Sequence, residues 1–547
     1  MPPDRGDLRR VAEESFGWKV LREGQLDAMA AAARGEDVLA VMPSGHGKSA
    51  VYQVPAVALP GTAVVISPLI ALQYDQVDAI NDDLGAHRAF AINSQQKASA
   101  GRAAWDAAAS GEAKFLFLAP EQLAREETLQ RLAELDISLF VVDEAHCISS
   151  WGHDFRPDYL TLTPVVQRLQ HPPVVALTAT ASPHTRTEII DRLGMRDPFV
   201  TVQSFDRPNL NLRVLRHHED RGKRQAVVEQ VAEFGGPGLL YTATRKDTER
   251  YAAELAERGL RADAYHAGRR AADREAIHDR FQNGGVDVVV ATNAFGMGID
   301  KPDVRLVVHA DIPDSLDSYY QEIGRAGRDG EPAQVVLHYR SEDLGLQRFF
   351  AGGAPDPEEL AAVFGALREH GPLRPTALLE HTGISPRKQA RLLNLLEASG
   401  SISINRKGYR AVGGVDPSEA ADKAVAEADS RHRIDESRIE MARGYAETDR
   451  CRRDWLLNYF GEETDGYCGN CDNCEAGSEA VADAREAEMP EGFEIQRQVK
   501  HREWGPGMVM GTQPDRITVL FESVGYKDIA LSAVREDAGL LESLTDQ

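Results

Sequence analysis

Cysteine and aromatic residues are scarce in this chain of 547 residues, and basic residues are outnumbered by acidic ones. Five residues are cysteine and 7% are Phe, Trp or Tyr, while 62 Lys and Arg stand against 86 Asp and Glu, a formal net charge of −24. So few cysteines exclude a disulfide-rich scaffold. The acidic balance argues against a surface that binds nucleic acid as a whole, although it leaves a local basic channel open.

Long apolar runs are also missing. No run reaches the roughly 20 residues that a membrane-spanning helix requires, and the first residues, MPPDRGDLRR, lack the apolar core of a signal peptide. We therefore expect a cytoplasmic protein without a membrane partner.

What the chain does contain, between residues 36 and 345, is an alternation of short apolar runs with amphipathic stretches. Such runs are typical of buried parallel strands. The first series comprises DVLAVM (37–42), AVVISP (63–68), KFLFLAP (114–120), LFVVDE (139–144) and VVALTAT (174–180), and the second GLLYTAT (238–244), ADAYHAG (262–268), DVVVATN (287–293), LVVHADIP (306–313) and AQVVLHY (333–339). With a break near residues 204–213, the pattern predicts the α/β class and two parallel sheets in tandem.

Shorter elements follow residue 350. In chain order we expect three short helices (358–370, 376–382 and 386–398), an alternating segment (401–412), a longer helical pattern (418–460), an acidic polar stretch (475–492) and short strands with glycines from residue 499. Three helices followed by an alternating hairpin predict a winged helix. The acidic stretch is typical of a flexible tether.

A phosphate-binding loop is predicted by MPSGHGKS (42–49), which follows a predicted strand and precedes a predicted helix. Backbone N–H groups around Gly45 and Gly47 would surround phosphate oxygens at the helix N-terminus. Lys48 would bring a charge to the β- and γ-phosphates, and Ser49 a hydroxyl to Mg²⁺. A glycine-rich turn without a ligand is the alternative, since the strict pattern begins with Gly rather than Met.

Two carboxylates end a predicted strand in LFVVDEAH (139–146). Asp143 is placed to hold the Mg²⁺ shell, and Glu144 to orient or deprotonate an attacking water. Two acids at the end of a buried strand are costly unless they bind a cation. Together with the phosphate loop, they predict nucleotide hydrolysis.

A pair of arginines follows in QEIGRAGRDG (321–330). Arg325 and Arg328 would share one face if the segment is helical. A guanidinium from the facing lobe would stabilise the charge that develops on the γ-phosphate during transfer. A pair of surface arginines is the alternative.

Four of the five cysteines crowd together near the end of the chain, namely Cys451, Cys468, Cys471 and Cys474. Four thiolates suit tetrahedral Zn²⁺. An iron–sulfur cluster also takes four cysteines, and free thiols are a further alternative. The fifth cysteine, Cys147, is predicted to pack in a core.

The order of these segments resembles the RecQ family of superfamily 2 helicases. The matching strings are FGWKVLREGQ (16–25), MPSGHGKS (42–49), SPLIALQYDQ (67–76), DEAHCISSWGHDFRPDY (143–159), ALTATA (176–181), SFDRPNL (204–210), ATNAFGMGIDKPDVR (291–305) and QEIGRAGRDG (321–330). The resemblance implies two RecA-like domains. The cysteine spacing is similar to that of the family's zinc module, which favours Zn²⁺ over a cluster.

The resemblance also implies roles for residues around the nucleotide. Gln25 would read the adenine edge and so select ATP, with Trp18 and Arg22 stacked on the base. A core or surface aromatic is the alternative for Trp18. His146 and Thr178 would link the hydrolysis site to the DNA contacts.

A loop that senses single-stranded DNA is implied for Trp151, His153, Phe155 and Arg156. Stacking of bases on aromatic rings tolerates any sequence, which suits a motor. Core packing is the alternative for Trp151 and Phe155.

The order of the modules differs from that usual in the family, because the winged-helix-like stretch precedes the cysteines instead of following them. Residues 383–400 would form its third helix, with Arg387, Lys388 and Arg391 on the polar side. A helical scaffold without DNA contacts is the alternative.

The last segment, residues 499–534, resembles the Tudor-like domain that ends UvrD/PcrA-type helicases. Its apolar residues would line a small closed barrel, namely Val499, Trp504, Val509, Ile517, Val519, Phe521, Ile529 and Leu531. In those proteins the domain binds partners that include RNA polymerase. Residues 475–547 carry 15 acidic and 7 basic side chains, so we expect a protein partner there rather than DNA. A structural cap is the alternative.

The expected parts are a first RecA-like motor domain (1–205), a second (206–350), a winged-helix-like domain (355–413), a helical zinc-binding module (416–476), an acidic linker (477–494) and a Tudor-like small β-barrel (495–547). The resemblance implies an ATP- and Mg²⁺-dependent DNA helicase. It would move 3′→5′ on single strands and unwind forked DNA in repair and recombination. The alternatives are a DNA-stimulated ATPase that moves without robust unwinding, and a tethered interaction protein whose motor acts as a switch.

Overall fold

The computed structural model describes the chain except for residues 1, 44, 94–95, 150–155, 294, 296–300, 351, 353, 406–407, 479–491, 514, 538 and 545–547. Two parallel sheets, a hairpin and an antiparallel sheet form its β-structure. Within these described residues, no helix combines the length and the apolar character needed to cross a membrane.

The first domain is built on a parallel sheet of seven strands. The strands are β1 (Val38–Val41), β2 (Thr62–Ile66), β3 (Ala89–Ile92), β4 (Phe115–Leu118), β5 (Ile137–Val142), β6 (Val174–Thr178) and β7 (Phe199–Val202). Their order is β3-β4-β2-β5-β6-β1-β7. The helices are α1 (Arg5–Phe16), α2 (Gln25–Ala33), α3 (Ala50–Ala58), α4 (Ile70–Leu84), α5 (Ala98–Ala109), α6 (Glu126–Ala133), α7 (Leu162–Arg168) and α8 (Pro183–Leu193). Because the strands are parallel, the loops after β1, β5 and β6 meet at one edge of the sheet.

The second domain repeats this plan with six parallel strands. They are β8 (Leu210–Arg216), β9 (Gly238–Tyr241), β10 (Ala262–Tyr265), β11 (Val288–Ala291), β12 (Leu306–His309) and β13 (Ala333–Tyr339), in the order β10-β11-β9-β12-β13-β8. The helices are α9 (Asp220–Phe234), α10 (Arg245–Glu257), α11 (Ala271–Gln282), α12 (Leu316–Ile323) and α13 (Leu344–Phe350). The predicted fold class, two tandem α/β sheets, is confirmed.

Three helices and a hairpin follow, as the sequence predicts. They are α14 (Pro357–His370), α15 (Pro375–Thr382), α16 (Pro386–Ala398), β14 (Ile402–Asn405) and β15 (Gly408–Ala411). The next helix, α17 (Pro417–Glu447), contributes Ala420, Ala421 and Ala424 to the same core as Leu360 and Phe364. This core therefore extends beyond residue 413, where we expected the winged-helix-like part to end.

The zinc-binding part adds α18 (Arg452–Tyr459) and α19 (Asp472–Glu475). The C-terminal part consists of β16 (Gln498–His501), β17 (Gly505–Thr512), β18 (Arg516–Phe521), β19 (Gly525–Ala530), α20 (Leu531–Glu536) and β20 (Leu541–Ser543). Its antiparallel sheet has the order β19-β18-β17-β16-β20. The outer strands β19 and β20 do not pair with each other within the described residues, so the sheet is open where we expected a closed barrel.

The C-terminal sheet packs against the zinc-binding part. The ring of Tyr526 stacks on Tyr459 of α18 at a centroid distance of 4.8 Å, and the backbone N–H of Tyr526 donates to the hydroxyl of Ser437 in α17 (3.1 Å). Met510 of β17 and Pro183 of α8 both lie against Gly461. The sequence predicts a module that hangs on a tether, whereas the structure docks it on helices α17 and α18.

Candidate nucleotide site and zinc centre

The phosphate loop lies between β1 and α3 and is approached closely by side chains. Gly45 (φ +78°) and Gly47 (φ +71°) adopt the left-handed conformation that favours glycine. A Cβ on Gly45 would lie 3.2 Å from Cγ of Arg328, and one on Gly47 would lie 2.8 Å from Nε2 of Gln25. Glycine is therefore favoured at both positions, because the backbone is left-handed there and because neighbouring side chains occupy the space of a Cβ.

Gln25 ties the segment before α2 to this loop. Its Nε2 donates to the carbonyls of His46 (2.9 Å) and Gly47 (3.0 Å), and its Oε1 accepts from the backbone N–H of Arg22 (2.7 Å). The ring of Trp18 stacks on Phe16 at 4.7 Å. The contacts with adenine expected of Gln25, Trp18 and Arg22 stay predictions.

The two carboxylates follow β5 directly and face the phosphate loop. The Oε1 of Glu144 lies 3.9 Å from Nζ of Lys48. Glu144 has φ +48°, a left-handed conformation that is uncommon outside glycine and that often marks a functional site. His146 lies beside it, with its Nδ1 at 3.4 Å from the Oε2 of Glu144 and at 2.9 Å from the hydroxyl of Thr178.

Asp143 is held in a setting that suits a divalent cation. Its side chain is 7% exposed. Burial, followed by the charge of Glu144, raises its pKa to about 6, although Lys48 acts in the opposite direction. A cation relieves such repulsion between buried acids. The donor set therefore fits Mg²⁺, which Asp143 and Ser49 would hold.

Positive charges from both domains converge on the loop. Burial, followed by the charges of Arg22, Arg207 and Lys48, lowers the pKa of His46 to about 4. Such a concentration of positive charge at the phosphate loop favours an anion such as a polyphosphate. The sequence pattern did not predict Arg207 as a site residue, although Arg207 stands in the segment SFDRPNL (204–210).

The paired arginines lie on the turn after α12, at the face of the second domain that meets the loop. The aliphatic part of Arg328 lies against Gly45. Arg325 is 5% exposed, and its Nε has no hydrogen-bond partner among the described residues. The structure thus brings Arg328 to the phosphate loop, whereas Arg325 is buried beside Tyr241 of β9.

Most of the expected DNA-sensing loop lies outside the described residues, namely Trp151, His153 and Phe155. Arg156 lies within the described part of the chain. Its guanidinium donates to the carbonyl of Pro68 (2.9 Å), and its backbone N–H donates to the carbonyl of Cys147 (2.9 Å). Arg156 therefore anchors one end of the loop to the first domain.

The four clustered cysteines form one centre. The Sγ atoms of Cys451, Cys468, Cys471 and Cys474 all lie within 4.8 Å of one another, and those of Cys468 and Cys474 are 3.9 Å apart. Tetrahedral Zn²⁺ with Zn–S bonds of about 2.3 Å places sulfur atoms about 3.8 Å apart. The cluster fits zinc. Cys147 is fully buried in a core and does not belong to it, as predicted.

Comparisons with protein families agree with this geometry. Residues 22–189 match a family described as DEAD/DEAH box helicase, and residues 222–330 match the helicase conserved C-terminal domain. Residues 418–475 match the RecQ zinc-binding family. This match identifies the metal of the centre as zinc and not an iron–sulfur cluster.

Similar proteins cover most of the chain. A probable ATP-dependent DNA helicase, RecS of Bacillus subtilis, is 35% identical over 476 residues, which cover 85% of this chain and 92% of that protein. The ATP-dependent DNA helicase RecQ of Pasteurella multocida is 36% identical over 469 residues, which cover 85% of this chain and 61% of that protein. The solved DUF1998 helicase MrfA bound to DNA shares the fold, with a TM-score of 0.53 and 17% identity over 76% of this chain and 64% of that chain.

Proposed function

Because the chain belongs to the RecQ family of ATP-dependent DNA helicases, we propose that ATP binds between its two RecA-like domains and that hydrolysis there drives movement along single-stranded DNA. The contact between Arg328 of the second domain and Gly45 of the first carries this proposal. It supports a cleft in which a guanidinium of one domain reaches the phosphate loop of the other. Closing and opening of such a cleft is the step that hydrolysis would control.

Each side chain of the cleft has a proposed part in hydrolysis. Lys48 and the backbone of the loop bind the phosphates, and Ser49 and Asp143 hold Mg²⁺. Glu144 orients the attacking water and accepts its proton. Bound Mg²⁺ would neutralise phosphate charge. Arg328 stabilises the charge that develops on the γ-phosphate, and Arg325 supports it from the buried side of the same turn.

The proposed DNA path runs over the loop that Arg156 anchors, where Trp151, His153 and Phe155 would contact bases. The hydrogen bond between His146 and Thr178 supports a connection from this region to the hydrolysis site. Movement 3′→5′ follows the family and is part of the proposal, as is a role in repair and recombination.

A second candidate function is translocation without robust unwinding. It is favoured by the position of the hairpin β14–β15, which belongs to a module before the zinc centre instead of after it. A forked duplex separates the two functions, since a helicase displaces its strand and a translocase does not. A protein partner at the C-terminal sheet, with RNA polymerase as the candidate, stays a prediction.

Replacement of Arg328 tests the cleft. Arg328→Ala should lower kcat of the DNA-stimulated ATPase by about 10³-fold, because arginines in this role contribute 10³–10⁵. Binding of a fluorescent ATP analogue should persist. The matched control is Arg250→Ala, which removes a half-exposed arginine of α10 that pairs with Glu254. Turnover by Arg328→Ala at the rate of this control would refute the proposed cleft.

A further inference from the structure

Residues 204–210, here called the strut, connect the two RecA-like domains and lie between two other parts of the chain. The zinc-binding part holds the backbone of the strut, and side chains of the strut hold the turn that carries the paired arginines. The three parts lie far apart in the sequence, so the arrangement exists only in the folded protein.

Arg453 is the main contact from the zinc side. It follows Cys451 by two residues and is 9% exposed. Its NH2 donates to the carbonyls of Pro208 (3.3 Å) and Leu210 (3.0 Å), and its Nε lies 3.2 Å from a carboxylate oxygen of Asp206. One guanidinium therefore fixes several backbone groups of the strut.

Glu462 provides a second contact from the same side. Its two carboxylate oxygens accept hydrogen bonds from the hydroxyl of Ser204 (2.6 Å) and from the backbone N–H of Phe205 (2.8 Å). The ring of Phe205 stacks on Phe460 at 4.6 Å, with 15° between the ring planes. The start of the strut is thus held by charge and by packing.

The strut in turn holds the arginine turn. Arg207 donates to the carbonyls of Gly324 (3.3 Å), Ala326 (2.8 Å) and Gly327 (3.0 Å), and Asn209 also donates to the carbonyl of Gly327 (2.8 Å). Gly327 has φ +54°, so the turn adopts a conformation that favours glycine. The carbonyls held in this way belong to the residues on either side of Arg325 and to the residue just before Arg328.

We propose that Arg453 and Glu462 are positioning residues for the arginines of the nucleotide site. They fix the strut so that Arg207 and Asn209 place the turn of residues 324–327, and with it Arg328, against the phosphate loop. The zinc-binding part would in this way set the rate of ATP turnover without touching the nucleotide. The inference rests on the proposed function, in which Arg328 acts on the γ-phosphate.

The first test is Arg453→Gln in the full chain. A misplaced catalytic group costs up to about 100-fold in rate, so kcat of the DNA-stimulated ATPase should fall by about 10- to 100-fold while KM for ATP changes little. Zinc content should stay at the wild-type value. Arg453→Lys keeps a charged donor and should recover most of the rate.

Arg213→Gln is the matched control, because it removes another arginine contact between the second domain and the zinc-binding part, to Glu475, outside the strut. It should leave kcat unchanged. Wild-type kcat in Arg453→Gln would overturn the proposal, as would an equal loss in the control. If Arg453→Gln loses zinc, the second variant is Glu462→Ala, which removes both carboxylate contacts with the strut. A wild-type kcat in Glu462→Ala would overturn the proposal.

A double variant separates this inference from the proposed function. Asn209→Ala loosens the same strut from the arginine turn. Because both changes act through one element, the double variant Arg453→Gln/Asn209→Ala should be no slower than the slower single variant by more than about threefold. Multiplied losses would overturn the coupling. If Arg328→Ala retains turnover, the proposed function fails; if only Arg328→Ala is impaired, the positioning role fails.

Discussion

The Nδ1 of His146 lies 2.9 Å from the hydroxyl of Thr178 and so connects the segment after β5 to the end of β6. The hydroxyl of Thr178 also donates to the carbonyl of Thr180 (3.0 Å) and accepts from its backbone N–H (3.2 Å). One buried hydroxyl therefore joins the carboxylate segment to the loop that follows β6. A displacement of either segment would therefore displace the other.

Thr178→Val should uncouple DNA binding from hydrolysis. Valine keeps the size of the side chain but loses the hydroxyl, so the link to His146 is lost with little change in volume. Basal ATPase should stay within about threefold, while stimulation by single-stranded DNA should fall by about tenfold, the size of one lost buried hydrogen bond. ATPase assays with and without DNA measure both. Equal losses in the two conditions would instead assign Thr178 to packing.

Zinc should be bound at one ion per chain, and Cys471→Ser should lower the metal content. Cys471 also forms an isolated backbone bridge with Leu212, at the edge of the second domain. Loss of the metal should therefore lower Tm of the motor as well as that of the zinc-binding part. Cys147→Ala, which changes a cysteine outside the centre, is the control and should keep its zinc. Full zinc in Cys471→Ser would contradict the assigned centre.

His338 makes the free energy of unfolding depend on pH. Its Nδ1 lies 3.0 Å from Nε2 of His217 and its Nε2 lies 2.7 Å from Oε1 of Gln230. Burial, followed by the charges of His217 and Lys223, lowers the pKa of His338 to about 3. Below pH 6.5 the unfolded chain binds a proton that the folded protein does not, so the free energy of unfolding decreases as the pH falls toward 3, by roughly 2 kcal/mol at pH 5.

Replacing His338 should weaken this dependence. In His338→Gln the drop in Tm between pH 7 and pH 5 should be smaller than in the wild type, whatever the change in Tm at pH 7. His87→Gln, at an exposed histidine, should retain the wild-type drop. An unchanged drop in His338→Gln would show that other groups set the acid sensitivity.

The sequence pattern identified the central strands of the two parallel sheets and missed three of their four edge strands. All ten strands predicted between residues 36 and 345 are present. Strands β3, β7 and β8, each at the edge of a sheet, were not predicted. In β7 and β8, buried or half-buried residues alternate with more exposed ones. A search for continuous apolar runs finds strands that are covered on both faces and overlooks such edges.

Site residues within one segment could be predicted, but residues that act across segments could not. The phosphate loop, the acid pair and the four cysteines each have a local pattern. Arg207 acts on carbonyls at positions 324–327, more than 100 residues away. Nothing in the acidic composition of residues 475–492 indicated that the following sheet docks on α17 and α18.

The docked C-terminal sheet changes the expected result of its deletion. The sequence predicts that removing residues 490–547 leaves DNA-dependent ATPase and unwinding largely intact while it removes a protein partner. In the structure Tyr526 is buried against Tyr459, and burial of one large aromatic side chain contributes roughly 2–3 kcal/mol. The truncated chain should therefore show a lower Tm and faster thermal loss of ATPase, measured side by side with the full chain. An unchanged Tm would support an independent module, as the sequence predicts.

ATP-driven displacement of a labelled strand from a forked duplex is the decisive measurement. Wild-type protein should displace the strand when ATP and Mg²⁺ are present, and Lys48→Ala should not. Glu144→Gln should bind a fluorescent ATP analogue and the fork but displace the strand at least about 100-fold more slowly, since it lacks the group that activates water. Hydrolysis stimulated by single-stranded DNA without any displacement would contradict the helicase account, and so would displacement by Glu144→Gln at the wild-type rate.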